Sequence, residues 1–181
     1  MTRDEALKAL TDAGYAPLPW QMAFHTSPRP IAVGDIGAGK TEVLLMHALM
    51  CALQDRGADG VLMFCSHDRA RQMLERWVEA ATNAGITLWA GRAHLVVEMA
   101  GGGKVVFTWP ARAENLRGRV FAWGGVDGID QCGGEILDRV RAGERHRFAT
   151  VSGVFEPIAC AVSANTHLPA DCATGHTFRV A

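Results

Sequence analysis

The sequence GDIGAGKT, which runs from Gly34 to Thr41, is the feature that most restricts how this chain can fold. It has the pattern GxxxxGK[ST], and it lies between a short apolar run, Ile31 to Val33, and a stretch of helical periodicity, Lys40 to Leu53. Such a loop turns its backbone N–H groups inward around a phosphate, and glycine is needed because a side chain would obstruct the close approach. The sequence therefore predicts a phosphate-binding loop between a strand and a helix.

The loop supplies backbone donors and two side chains with separate tasks. The ammonium of Lys40 is expected to reach the β- and γ-phosphates of a nucleotide, and the hydroxyl of Thr41 is expected to ligate Mg²⁺. The helix that begins here points the positive end of its dipole at the same oxygens. The nucleotide-binding candidates in the loop are Gly34, Gly37, Ala38, Gly39, Lys40 and Thr41.

Strand and helix patterns alternate along most of the chain, which predicts an α/β fold with a mainly parallel sheet flanked by helices. Helices are predicted at residues 2–13, around Trp20 to His25, and at Lys40 to Leu53, Asp68 to Ala84 and Glu135 to Arg141. Strands are predicted at Ile31 to Val33, Val61 to Cys65, Leu95 to Met99, Val105 to Trp109, Val120 to Val126 and Phe148 to Val151, the third and fourth forming a hairpin. Residues 158–181 show no periodicity and are expected to form an irregular tail.

Length and composition narrow the class of protein. The 181 residues suffice for one domain, and 49% hydrophobic with 20% charged residues are typical of a globular chain. The formal net charge of −1 indicates no broad basic face, so contact with DNA would be local or transient. Five widely spaced cysteines without a CxxC pair favour neither a disulfide framework nor a zinc site, which fits a reducing cytoplasm. No run of about 20 apolar residues occurs, so no membrane contact is expected.

Segments on both sides of the loop make the chain similar to the ATPase domain of tailed-phage large terminases, the DNA-packaging motors. The resemblance covers about residues 17–157 and rests on PLPWQMAFH before the loop and, after it, on VLMFCSHDRARQMLERW, KVVFTWPARAENLRGRVFAWGGVDG and ILDRVRAGERHRFATVSGVFEP. It implies a RecA-like P-loop NTPase fold with ATP and Mg²⁺ as cofactors. It also implies an N-terminal helix and adenine-side segment in residues 1–30 and an ATPase core in residues 31–157, followed by the tail.

The resemblance gives candidate roles to side chains outside the loop. Gln21 takes the place of the family's adenine-recognising glutamine, and an amide suits that task because it both donates and accepts hydrogen bonds. The alternative is a surface glutamine beside a core tryptophan. Arg69, Arg71 and Arg76 in the second segment either contact DNA phosphates or form a solvated helix face.

The third segment places the Walker B aspartate at Asp127, where it could hold Mg²⁺ through the ion's water shell. The family has a glutamate directly afterwards to orient the attacking water, but this chain has Gly128. Asp130 is a candidate substitute, and so is Glu135, although neither matches the motif. Many terminases also carry an arginine near the position of Ile36. Both departures favour slow hydrolysis, because each removes a group that lowers the barrier.

The fourth segment is a looser match. Thr150, Ser152 and Gly153 lie near the family's coupling motif, whose hydroxyl senses the γ-phosphate, but an ordinary strand end is an equally good interpretation. The family's full-length members continue into a nuclease domain. The tail holds only Asp171 as a carboxylate side chain, so no nuclease centre is expected there.

Two functions of different classes follow from these residues. The first is an ATPase that couples ATP hydrolysis to DNA packaging in the host cytoplasm. By the resemblance, it would act as a homo-oligomeric ring with double-stranded DNA, the phage portal and the small terminase as partners. The second is a nucleotide-binding module, or a truncated remnant of a terminase, with little or no hydrolysis. Gly128 favours the second, while Lys40, Asp127 and Asp130 are the catalytic candidates for the first.

Overall fold

The computed structural model of the chain describes residues 1–27, 30–34, 37–116, 119–128, 159–163 and 176–180. Four α-helices lie within these residues: α1 (Arg3–Asp12), α2 (Pro19–Thr26), α3 (Lys40–Gln54) and α4 (His67–Asn83). The strands are β1 (Pro30–Gly34), β2 (Gly60–Met63), β3 (Leu88–Gly91), β4 (Val96–Met99), β5 (Lys104–Thr108), β6 (Trp123–Asp127), β7 (Ala159–Ser163) and β8 (His176–Val180). A 3₁₀ helix spans Pro110–Leu116.

These strands form one sheet in the order β3-β4-β5-β2-β6-β7-β1-β8. The six strands from β5 to β8 in that order pair in parallel, and β3, β4 and β5 pair antiparallel at one edge. This arrangement confirms the predicted α/β fold with a mainly parallel sheet flanked by helices. It also brings the carboxyl ends of β1, β2 and β6 to the same edge of the sheet, where open α/β sheets bind their ligands.

The elements around the loop agree with the sequence patterns to within a few residues. The strand before the loop, the two long helices and the hairpin around Gly101 to Gly103 are all present. Strand β3 is not among the predicted strands, because four residues at a sheet edge carry too little periodicity and Trp89 within it is exposed. The predicted helix at Glu135 to Arg141 and strand at Phe148 to Val151 lie outside the described residues.

The C-terminal segment differs from the expected irregular tail. It contributes β7 and β8, which pair with β1 on its two sides. Strands of parallel sheets often lack an alternating pattern of apolar and polar residues, because helices cover both faces of such sheets. A search for periodicity along the sequence therefore does not detect these two strands.

The core lies mainly between the sheet and the helices α1, α3 and α4. Leu45 and Leu49 of α3 and Trp77 of α4 are fully buried, and Trp77 makes an edge contact with Phe107 of β5. Burial of such apolar side chains fixes α3 and α4 against the sheet and so fixes the positions of their N-termini. Among the described residues, no helix is long and apolar enough to cross a membrane.

Candidate nucleotide-binding site

The loop between β1 and α3 has the backbone that its glycines predict. Gly37 and Gly39 have φ values of +91° and +81°, which L-residues with a side chain rarely adopt. Gly39 is also restricted by space, because a Cβ there would lie 2.9 Å from Nε2 of Gln21. Gly34 ends β1. Ala38 lies between Gly37 and Gly39, and these three residues lead directly into Lys40.

The N-terminus of α3 differs from those of α1 and α4. Thr2 and Ser66 cap α1 and α4 by accepting hydrogen bonds from the backbone of the first turn. No side chain of the described residues makes such a cap on α3, which begins at Lys40 with Gly39 as its N-cap residue, and α2 has no side-chain cap either. An anion bound at Gly39 would take the place that a hydroxyl has on α1 and α4. This feature fits a bound phosphate.

The two candidate metal ligands lie in direct contact. The Thr41 hydroxyl is 3.1 Å from both carboxylate oxygens of Asp127, although the two residues are 86 positions apart in the chain. Lys40 is buried beside them, with 7% of its surface exposed. Thr41 opens α3 and Asp127 ends β6, so the sheet order brings them together. A hydroxyl and a carboxylate are oxygen ligands of the kind that Mg²⁺ prefers, so the residues present fit the metal.

Burial dominates the electrostatics of Asp127. It raises the pKa of this carboxyl above its usual range, while the Thr41 hydroxyl and the positive charges of Arg69 and Lys40 act in the opposite direction. Only 8% of Asp127 is exposed. The cations around it therefore compensate only in part for the solvation that the carboxylate loses.

Arg69 belongs to this site, which sequence reasoning missed. It lies in the first turn of α4, and its Nη2 is 3.4 Å from Oγ1 of Thr41 and 3.6 Å from Oδ2 of Asp127. Its Nη1 donates to Oε1 of Gln72 at 3.0 Å. The sequence pattern groups Arg69 with arginines of a DNA-facing or solvated helix face. The strand order alone would predict that Arg69 lies near Asp127, because β2, which precedes α4, pairs directly with β6.

The other two arginines of α4 lie away from the contact between Thr41 and Asp127. Arg76 donates to Glu42 of α3 at 2.6 Å, and both Arg71 and Arg76 are exposed. Exposed arginines fit both a solvated helix face and contact with DNA phosphates.

Gln21 lies at the edge of the loop with both ends of its amide engaged. Its Oε1 accepts from the backbone of Leu18 at 2.8 Å, and its Nε2 donates to the carbonyl of Gly39 at 3.3 Å. It is buried, so the alternative of a surface glutamine does not hold. A cleft of about 420 Å³ opens beside it, lined among others by Tyr15, Gly39 and Glu42. One amide hydrogen and one lone pair of Gln21 remain for a ligand in this cleft.

Position 128 has a backbone suited to glycine. Gly128 follows Asp127 with a φ of +67°, in the left-handed region that a glutamate adopts only at a cost. The suggested substitutes Asp130 and Glu135 lie outside the described residues, as do Ile36, Thr150, Ser152 and Gly153. The strand that lies between β6 and β1 is Ala159–Ser163.

Solved structures share this architecture. The ATPase domain of the large terminase of Thermus phage P74-26 superposes with a TM-score of 0.71 at 17% identity, over 91% of this chain and 70% of that chain. The large terminase of another, thermophilic bacteriophage in complex with ADP gives a TM-score of 0.60 at 17% identity, over 86% of this chain and 37% of that chain.

This chain has the fold of a phage large-terminase ATPase domain. It spans a little over two thirds of the P74-26 domain and little more than a third of the thermophilic-phage protein. A second structure of the latter terminase, in complex with ATP-gamma-S, gives a TM-score of 0.57 at 18% identity. No protein-family model matches the sequence, and no curated protein matches it.

Proposed function

We propose that this chain is a terminase-type nucleotide-binding domain that holds Mg²⁺·ATP between the loop and Asp127. The observation that carries the proposal is the contact between Thr41 and Asp127 beside the buried Lys40, next to a helix N-terminus that no described side chain caps. Solved structures of the thermophilic-phage terminase contain ADP and ATP-gamma-S, which supports the choice of nucleotide. In this proposal Gly34, Gly37, Ala38 and Gly39 supply backbone donors to the phosphates.

Each side chain has a task that its position permits. Lys40 places a positive charge beside the phosphates, and Thr41 and Asp127 hold the metal ion, directly or through water. When bound, Mg²⁺ would supply positive charge that neutralises the phosphates. Gln21 and the cleft beside it take the base, with the free hydrogen and lone pair of the amide available to it.

Titration of ATP into the purified protein tests the binding proposal. We expect Lys40→Ala to weaken the affinity by about 100-fold or more, because it removes charge-assisted hydrogen bonds to phosphate. Asp127→Ala should weaken binding only when Mg²⁺ is present. Lys104→Ala is the control, since Lys104 begins β5 at a distance from the loop, on the far side of β2 from β6. Unchanged affinity in Lys40→Ala would contradict the proposal.

The larger function proposed is ATP hydrolysis coupled to DNA packaging. The fold shared with two phage terminases supports it. In that role the domain works in the host cytoplasm as a ring of identical subunits, with double-stranded DNA, the portal and the small terminase as partners. The test is single-turnover hydrolysis with and without double-stranded DNA, for which we expect stimulation by DNA.

A second candidate function is nucleotide binding with little or no turnover. Gly128 favours it, because glycine has no carboxylate and its backbone conformation does not suit the glutamate of the family. Binding of Mg²⁺·ATP without hydrolysis in the presence of DNA would support this candidate over the packaging ATPase. Asp130 keeps its place as the proposed substitute carboxylate if hydrolysis is found, and Asp130→Asn should then abolish it.

A further inference from the structure

The guanidinium of Arg69 lies beside the two side chains that are proposed to hold the metal ion, Asp127 and Thr41. In the structure its guanidinium lies close to a buried carboxylate, with Nη2 at 3.6 Å from Oδ2 of Asp127 and 3.4 Å from Oγ1 of Thr41. These are the two side chains proposed to hold the metal ion. A divalent cation at that place and the guanidinium would compete for the same oxygens, and the like charges would repel each other.

About a third of the Arg69 side chain is exposed, so space on the solvent side is available to another rotamer. Its backbone is fixed in the first turn of α4. The backbone N–H of Arg69 donates a hydrogen bond to Oγ of Ser66, the N-cap residue of α4, at 3.2 Å. Helix α4 is anchored by the buried Trp77 and Met73. The arginine thus has a rigid base at the site and a side chain with freedom to choose a new acceptor.

The acceptor that replaces Asp127 has to be an anion close to Thr41. Thr41 and Asp127 would hold the metal ion that accompanies the phosphates of a nucleotide, and the γ-phosphate is the group that a triphosphate has and a diphosphate lacks. We propose that Arg69 is a specificity-determining residue that leaves Asp127 when Mg²⁺ binds and contacts the terminal phosphate of a nucleoside triphosphate. This inference rests on the proposed nucleotide site.

The type of side chain also fits this role. Helix α4 brings the positive charge of Arg69 to within 3.4 Å of the Thr41 hydroxyl. A guanidinium is suited to this because its planar array of donors matches phosphate oxygens. Arg69 would then make the affinity for a nucleotide depend on the number of its phosphates. Lys40 and the backbone donors of the loop can bind a diphosphate as well as a triphosphate.

The test compares two nucleotides on four proteins. Isothermal titration measures Mg²⁺·ATP-gamma-S and Mg²⁺·ADP on the wild type, Arg69→Ala, Arg69→Lys and the control Arg71→Ala. We expect Arg69→Ala to lose about 10- to 100-fold in affinity for ATP-gamma-S with ADP affinity unchanged or slightly higher. Arg69→Lys should lose less, and Arg71→Ala should match the wild type, since Arg71 is an exposed arginine two positions along the same helix.

Three other results would contradict the proposal for Arg69. An equal loss for both nucleotides, or no loss for either, rejects terminal-phosphate recognition by Arg69. Double-stranded DNA is titrated into the same four proteins, and a loss of DNA affinity in Arg69→Ala with both nucleotide affinities unchanged assigns Arg69 to DNA contact instead. Absence of nucleotide binding in the wild type rejects the proposed function and this inference together. Thermal unfolding of each variant, followed by circular dichroism, shows whether the substitution has unfolded the protein.

Discussion

At the scale of single residues, the backbone of Gly128 determines what a change at this position can show. The φ of Gly128 is +67°, and an L-residue with a side chain in this conformation costs about 1–2 kcal/mol of folding free energy. Gly128→Ala and Gly128→Glu should therefore destabilise the protein about equally. We expect Gly128→Glu alone to raise single-turnover hydrolysis, by about 10-fold or more, if this is the family's glutamate position. Equal turnover in the two variants would remove residue 128 from the reaction.

A second residue-scale feature is a buried chain of three rings. The Tyr15 hydroxyl lies 2.9 Å from Nε2 of His25, and Nδ1 of His25 lies 3.3 Å from Nδ1 of His47. One Nδ1 has to donate and the other to accept, so the pair cannot hold two protonated rings. Burial lowers the pKa of His25 to about 4 and that of His47 to about 3, with the charge of Arg3 acting in the same direction, so both rings are neutral at pH 7.

These pKa values predict acid sensitivity of the fold. In the unfolded chain both histidines have a pKa of 6.5, so below that pH the unfolded state binds more protons than the folded state. The unfolding free energy should fall as the pH drops from about 6.5 towards 4, by about 1.4 kcal/mol per pH unit for each histidine. Urea unfolding between pH 7 and 5 measures this.

The matched variants are His47→Leu and His94→Ala. Leucine removes one titrating group from an apolar position of α3 and should reduce the pH slope by about one proton. His94 is exposed and lies outside this pair, so the part of the slope that the pair contributes should remain in His94→Ala. A slope in His47→Leu identical to that of the wild type would mean that His47 does not cause the acid sensitivity.

At the scale of elements, the pairing of β2 with β6 depends on a glycine beneath a tryptophan. Gly60 and Trp123 are register partners, and a Cβ at Gly60 would overlap the indole of Trp123. Gly60→Ala should lower the unfolding free energy by about 1–3 kcal/mol, because the buried ring has to shift. Gly57→Ala is the control, since a Cβ there would meet its nearest atom at 3.7 Å. Urea unfolding followed by circular dichroism decides, and equal stability of the two variants would contradict the packing argument.

The elements also show how far the sequence alone can predict the molecule. The phosphate loop, α3 and α4 could be predicted because their signals are local, in glycine spacing and in 3.6-residue periodicity. The contact between Arg69 and Asp127 could not, because it depends on β2 lying beside β6. The same holds for β7 and β8, whose positions come from pairing with β1 rather than from a pattern of their own.

At the scale of the whole molecule, the candidate site is an outcome of the strand order. The loop follows β1, Arg69 follows β2 and Asp127 ends β6, so three separate chain segments meet at one edge of the sheet. Strand β1 does not pair with β6, because β7 lies between them. The geometry of the site therefore depends on the C-terminal segment, although no described residue of that segment is among the site candidates.

Truncation of the chain tests this dependence. A protein that ends at residue 157 lacks both strands that pair with β1, and β1 carries the phosphate loop. We expect it to show no cooperative urea unfolding and no ATP binding, because the main-chain groups of β1 lose their partners on both sides. A protein that ends at residue 174 keeps β7 and lacks β8, so it should still unfold cooperatively, at lower urea concentration. The control ends at residue 180 and keeps every described strand. If the 157-residue protein unfolds cooperatively and binds ATP as tightly as the full chain, β1 does not need these partners and the site depends only on the segment before residue 158.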